Sequence, residues 1–440
     1  MNKATQGCFF VWVCIVVTLS GCSRTQGDDS SPQAVFPFDE SITVGDPQGN
    51  PADPYLATSN EGQVFVSWTE DVSDGKGRNV FIAKVINGGQ QVAEIRQANQ
   101  EPTSATMENL FKFAIAPGES VAAIFNTFAT DYSSMGNMSG GMFDIPRTLK
   151  VSHAEGGGPF SPERKLNDDG KEANTANFSA IATGPDGRIF AAWLDRRNDD
   201  PEFKQVFMAA SEDGGRTFGE NYLISDSACP CCRPDIAFLD GGKTLVVTYR
   251  QDVRPSDYTN PAHLRDHLII RSTDGGETFS DPVLISDDGW VASFCPGAGI
   301  AIDVDTEDRI HAVWWTGGRK PDEAGIYHTY SENGGKSFAP RQLISKATAD
   351  TVLHTQVAVD ENDTVYAVWQ GVLEDRAQLF LAHSRAGTGE WSQSYRVNDS
   401  TWNGFYPMVT VDDEKLYVAW TERKGEASRV KLRTAPLVAN

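Results

Sequence analysis

One stretch of this chain is written three times in near-perfect register: Ser211-Glu-Asp-Gly-Gly-Arg-Thr-Phe218, Ser272-Thr-Asp-Gly-Gly-Glu-Thr-Phe279 and Ser331-Glu-Asn-Gly-Gly-Lys-Ser-Phe338. Looser copies stand at Ser152-His-Ala-Glu-Gly-Gly-Gly-Pro-Phe160 and Ser384-Arg-Ala-Gly-Thr-Gly-Glu-Trp391. The copies are 53 to 61 residues apart, the length of one four-stranded propeller blade with its connections. Each residue type has a local task. Asp213, Asp274 or Asn333 can accept backbone N–H groups inside the turn, and the glycines permit positive φ. The closing Phe is then free to enter the seam between neighbouring sheets.

A second pattern precedes each turn: an alternating strand ending in an aromatic. Examples are Gly187-Arg-Ile-Phe-Ala-Ala-Trp193, Arg309-Ile-His-Ala-Val-Trp314 and Thr364-Val-Tyr-Ala-Val-Trp369. Alternation with β-branched and aromatic residues predicts strands. Units begin near Pro51, Thr103, Asn174, Cys229, Val291, Asp350 and Thr401. The expectation is an all-β chain folded as a single β-propeller of seven four-stranded blades. Six blades with one irregular insertion is the alternative, because the second unit carries a Met/Gly/Ser-rich stretch at 131–142. The last unit has only three strands. The segment Phe38-Asp-Glu-Ser-Ile-Thr-Val-Gly45 reads like the missing fourth, so the N-terminal strand is expected to close the ring.

The repeated turn resembles the Asp-box (BNR) repeat of sialidase-like β-propellers, with Asp213, Asp274 and Asn333 at its characteristic position. That resemblance covers nearly the whole mature chain and implies the fold. In that family the box lies away from the active site, so it says almost nothing about chemistry. The catalytic pattern of sialidases is poorly matched. They hold a carboxylate with three arginines, the first in an Arg-Ile-Pro motif opening the first blade, where this chain has Asn50-Pro-Ala-Asp53-Pro54. Tyr406, near the start of the last unit, stands where a sialidase nucleophile would, but no Glu stands out to activate it.

The N-terminus carries an address. Lys3 precedes an apolar run, Phe9 to Leu19, too short to span a bilayer but suited to a signal-peptide core. It ends in Leu19-Ser20-Gly21-Cys22, which resembles a bacterial lipoprotein box and implies lipidation of Cys22. The expected layout is a signal peptide at 1–21, a flexible tether at 22–37 and the propeller at 38–440. The product is then exported and held to the membrane by its N-terminal lipid, at the outer rather than the inner membrane because Ser23 replaces a retention Asp. A formal net charge of −22 excludes nucleic acid as a partner, since phosphates would be repelled. Oligomeric state is not legible.

Innermost strands of a propeller bring their leading residues to one mouth of the central channel. Alignment puts Asp53, Leu110, Phe178, Arg233, Gly299, His354 and Phe405 there. The densest chemistry nearby is Cys229-Pro-Cys231-Cys232-Arg233, followed one unit later by Cys295; with Cys22 these are all the cysteines of the mature chain. Three readings stand side by side: two structural disulfides, a zinc or copper site on thiolates, or a redox-active pair beside Arg233. Connections between second and third strands add Asp195, Arg196, Arg197 and Arg250. Asp195 and Arg197 read either as an ion pair bracing two blades or as part of an arginine-lined mouth able to fork an anion.

The first functional reading is a lipid-anchored envelope protein, not a true sialidase, that binds a metal ion or an anionic ligand at a Cys/Arg/His-lined mouth. The alternative is a carbohydrate-active enzyme acting on a glycan, either an exo-sialidase-type glycoside hydrolase or a polysaccharide lyase. Its catalytic candidates are Tyr406, Asp195 and His354, with Arg233, Arg196, Arg197, Arg250 and Asp53 as ligand-binding residues. A protein-interaction scaffold is the third reading.

Overall fold

The computed structural model describes residues 35–440, leaving out 74–76, 104–110, 129–146, 171–175, 198–203, 254–262, 293–296, 348–353, 400 and 439–440. Cys22, Leu110 and Cys295, together with the expected signal peptide and most of the tether, therefore lie outside the described residues. Seven four-stranded antiparallel sheets follow one another along the chain, and the regular structure is strand with only short 3-10 turns among the described residues. The innermost strands are Ala52–Thr58, Phe111–Ala116, Asn177–Thr183, Asp235–Leu239, Ala301–Val304, Thr355–Val359 and Asn403–Val411. The seven-bladed expectation is met; the six-bladed alternative is not.

Second strands carry the core. Ile189–Asp195, Thr244–Arg250 and Ile310–Thr316 are buried at every position. Both faces of a blade pack on neighbours, so an inner strand gains from being apolar throughout. Outer strands such as Tyr222–Ala228 are mostly half-exposed. The seams between blades hold Phe218, Phe279 and Phe338, each packed against a different buried cluster.

The repeated turns join third to fourth strands. In the first, Asp213 accepts from Thr217 N at 2.8 Å, Thr217 Oγ1 at 2.6 Å and Ser211 Oγ at 2.8 Å. Gly215 sits at φ +92°, and a Cβ there would come within 2.3 Å of Ala122 in the preceding blade. The turn is thus a docking surface as well as a reversal.

Ring closure is as expected. Ile42–Val44 adds to the edge of the last blade, pairing Ile42 with Leu432, Thr43 with Lys431 and Val44 with Val430. Val44 is fully buried. Asp39 receives Thr434 Oγ1 at 2.7 Å and Lys415 Nζ at 3.0 Å, which holds its carboxyl below the usual range. Packing begins slightly before the expected boundary, since Phe36 is buried against Phe38 and Tyr395.

Neighbouring inner strands are stitched through side chains. Asp235 accepts Ile302 N of the next blade at 3.0 Å, and Asp303 accepts Val359 N of the blade after at 2.8 Å. Asn126 Nδ2 donates to Ala176 O at 2.7 Å, and Thr58 Oγ1 to Val411 O at 2.9 Å.

Candidate functional site

The inner strands enclose an axial cavity of about 170 Å³ lined by Tyr55, Lys112, Arg233, Asp235, Gly299 and Thr355 among others. Strand alternation turns Lys112 inward, where its ammonium lies 5.4 Å from the centre of the Tyr55 ring. Burial lowers its pKa to about 8, an effect that Asp235 partly offsets. Burial pushes the Asp235 carboxyl up in turn, against the pull of Lys112. A glycine is required at 299, because a Cβ would stand 2.4 Å from Arg233 O. That close approach seats the backbone of Arg233 against the fifth blade.

At this cavity the expected mouth residues Arg233, His354, Asp53 and Phe405 converge with the catalytic candidate Tyr406. Arg233 Nη2 lies 3.3 Å from His354 Nδ1. A guanidinium can only donate, so Nδ1 accepts and a neutral His354 carries its proton on Nε2. The imidazole meets the Tyr406 ring edge-on, with centroids 4.9 Å apart and planes at 76°. Arg423 stands over Tyr406 at 5.7 Å and over Phe405 at 5.8 Å, and its Nη2 is 3.9 Å from Asp53 Oδ1. Arg233, His354, Tyr406 and Asp53 are buried, while Arg423 remains partly exposed. Two guanidiniums, an imidazole and a phenol thus share one small region.

The backbone is strained at this rim. Asp53, Phe178 and Tyr406 have φ of 55°, 46° and 54°, at register breaks in the innermost strands of the first, third and last blades. Such angles are genuine outliers for bulky residues. Asp53 and Tyr406 also precede prolines, which narrows their conformations further. Outliers of this kind cost roughly 1–3 kcal/mol each and persist where surroundings over-determine them, often at functional positions.

The remaining candidates do other things. Asp195 is fully buried, accepting from Trp193 Nε1 at 2.9 Å, Arg197 N at 2.7 Å and Arg197 Nη2 at 2.8 Å. Arg197 continues to Asp168 at 2.7 Å and Asn221 at 3.1 Å and lies 3.7 Å above the Phe207 ring. This arrangement is the bracing ion pair, tying the third blade to the segment that enters it. Arg250 donates to Arg265 O and Trp315 O beneath the Trp290 ring. Its two terminal nitrogens are spent on the fourth and fifth blades. Arg196 is half-buried.

The cysteines are enclosed rather than lining an open mouth. Cys229, Cys231 and Cys232 are buried in the cluster between the third and fourth blades, beside Phe178, Leu194 and Tyr249. Their sulfurs lie within 4.8 Å of one another, a grouping that could hold a metal ion. Cys231 is disulfide-bonded, while Cys229 and Cys232 are free thiols. Cys229 Sγ is 3.7 Å from Cys231 Sγ and 2.9 Å from Cys232 Sγ. Two thiolates on one tetrahedral zinc stand ~3.8 Å apart, so the closer pair is too tight for a shared ion as it stands. Residue-level reading of the sequence also missed Lys112 and Arg423. Repetition of Asp53-Pro54 and Tyr406-Pro407 at one strand position was the available signal for the strained rim.

Neither a family model nor a curated protein matches the chain. Solved structures do match. The polysaccharide lyase Uly1 is 13% identical, with a TM-score of 0.55 over 94% of this chain and 95% of that one. A protein of unknown function from Dyadobacter fermentans is 11% identical, with a TM-score of 0.52 over 90% of this chain and 98% of that one. A Trypanosoma rangeli sialidase is 12% identical, with a TM-score of 0.46 over 91% of this chain and 55% of that one. At such identities the likeness is one of fold.

Proposed function

We propose that this protein is a carbohydrate-active enzyme of the lyase kind, cleaving an acidic polysaccharide by β-elimination at the channel mouth. The observation that carries the reading is the His354–Tyr406 edge contact with Arg233 on the imidazole nitrogen. Elimination needs a base for the proton on the carbon next to a carboxylate, an acid for the leaving oxygen, and a cation to stabilise the developing charge. When a uronate carboxylate takes the Arg233 guanidinium, His354 Nδ1 is released as the base. It removes the proton, the glycosidic C–O bond breaks, and the Tyr406 phenol protonates the departing oxygen. Arg423 adds a second positive charge on the same side.

A sialidase mechanism has less support: the three-arginine carboxylate clamp is not legible, and Tyr406 has an imidazole beside it. The buried Cys229, Cys231 and Cys232 grouping could hold a metal ion, and the elimination chemistry does not use it. The reading retains an exported protein, anchored to the bacterial envelope through lipidated Cys22, outer membrane rather than inner. Its ligand is an anionic glycan.

The test is ultraviolet absorbance of the unsaturated product on a panel of uronate-containing polysaccharides. His354→Gln and Tyr406→Phe should each lose about 10² or more in kcat, with folding intact by circular dichroism. Arg233→Ala should raise KM as well. No unsaturated product from any uronate polymer, or turnover unchanged in both variants, would remove the reading.

A further inference from the structure

One charge in the axial cavity has no task in the elimination chemistry. Lys112 is only 6% exposed, and its ammonium makes no hydrogen bond or ion pair among the described residues. What it meets is the face of the Tyr55 ring, 5.4 Å away. We propose that the axial cavity is a binding site for a small oxyanion, held between Lys112 and Arg233. The proposal does not rest on the lyase reading and shares only Arg233 with it.

The site lies deeper than the mouth. Tyr55, Asp235 and Gln356 line the cavity, each two residues further along the chain than Asp53, Arg233 and His354. Two residues of strand advance roughly 7 Å. Its volume of about 170 Å³ takes an ion of sulfate size together with waters.

Charge selects the ligand. An ammonium has three donors and no acceptor, and burying it without a partner is costly. The Tyr55 ring compensates only part of that cost. Asp235 does not supply the rest. Its two oxygens accept Ile236 N and Ile302 N, both at 3.0 Å, and neither comes within ion-pair distance of Lys112. Arg233 adds a second cation to the lining, while burial pushes the Asp235 carboxyl toward its neutral form. This local excess of positive charge stands in a chain of formal net charge −22. Waters can accept from the ammonium, but only an anion also neutralises it. Ile300, Val357 and Met408 complete the wall, and an apolar wall strengthens the attraction.

Burial brings Lys112 down to about 8. A bound oxyanion favours the ammonium, so binding is linked to keeping that proton. The charged and titratable groups facing Lys112 are Tyr55, Arg233 and Asp235. The guanidinium does not titrate, and burial pushes the Tyr55 phenol up. Protonation of Asp235 on the acid side favours the anion as well.

The experiment is calorimetric titration of the mature chain with inorganic sulfate, at constant ionic strength, from about pH 6 to about pH 10. Sulfate keeps its charge over that range. One site is expected, with affinity highest below about pH 8 and falling roughly tenfold per unit above it. Lys112→Met should weaken binding about 10-fold or more, with the circular dichroism spectrum unchanged. In crystals soaked with selenate, the anomalous peak should place an oxygen ~2.8 Å from Lys112 Nζ. Displacement of sulfate by glucose 6-sulfate would assign the oxyanion to a sugar, and its failure to displace would assign a free ion. The proposal is overturned by absence of saturable sulfate binding in the wild type, or by equal affinity in folded Lys112→Met. It is equally overturned by affinity that is flat or rising above about pH 8, or by selenate seated on His354 instead. The wild-type pH profile and the selenate position decide the matter even where the variant fails to fold.

Discussion

Asp303 offers a direct check on the way carboxylates stitch the inner strands. Its carboxylate accepts Val304 N and Val359 N, both at 2.8 Å, and burial, outweighing those bonds, raises its pKa to about 6. An unfolded Asp titrates near 3.9. Between the two values the native state holds a proton that the unfolded chain has released, so this group makes the protein more stable as pH falls through about 6. Two units correspond to about 3 kcal/mol; Asp303 is only half-buried, and solvent screening reduces that to about 2 kcal/mol.

Wild type alone would not reveal this effect. His153, His267, His328 and His383 all have pKa values lowered by burial, His328 to about 3. Each favours unfolding as pH falls below about 6.5. Asp303→Asn shares those histidines, so the difference between the two proteins isolates the carboxylate. Urea unfolding from about pH 7 to about pH 4.5 should show wild type gaining about 2 kcal/mol on the variant as the solution is acidified. In melting temperature that is roughly 2 °C, because a ring of ~400 residues unfolds with a large entropy. A difference that is flat, or that grows toward alkaline pH, would refute the argument that Asp303 is held protonated in the native ring.

Other substitutions probe the turns and the closure. Asp213→Ala removes the acceptor for Thr217 N, Thr217 Oγ1 and Ser211 Oγ, and should cost about 1–2 kcal/mol in urea unfolding. Asp213→Asn should recover part of that, as Asn333 does naturally in the third copy. Val44→Ala deletes two buried methyl groups from the closing strand and should cost about 2 kcal/mol. Added aggregation on heating would report the exposed edge of Ala427–Pro436.

The ring was legible because its signals are local. Alternation in Thr364–Leu373 and the hydrogen bonds of Ser272-Thr-Asp-Gly-Gly depend on neighbours within a few residues, and the missing fourth strand followed by counting. His354, Tyr406 and Arg233 were found by position, since equivalent places in successive blades face one axis. What could not be read was depth. Cys229 and Arg250 sit in loops by sequence, yet both are buried between blades, because the loops of a propeller fill the wedges its sheets leave open. Lys112 alternates inward like an apolar residue, and only the closed barrel of inner strands shows that it has nowhere else to go. The positive φ of Asp53 and Tyr406 is imposed by bulges whose register is set across strands.

Ring closure has a consequence for how the chain reaches its native state. Lys431 Nζ bonds Thr43 Oγ1 across 388 residues of sequence, among the longest loop closures such a chain can contain. The six inner blades can each form from consecutive strands, whereas the seventh requires both ends of the packed domain at once. Long-range pairing of this kind is slow because its entropy is lost before its contacts form. Until then, Ala427–Pro436 presents a bare strand edge to any other chain. The same pairing must be undone for the ring to open, so a late step in folding becomes the latch that governs how slowly the finished protein comes apart.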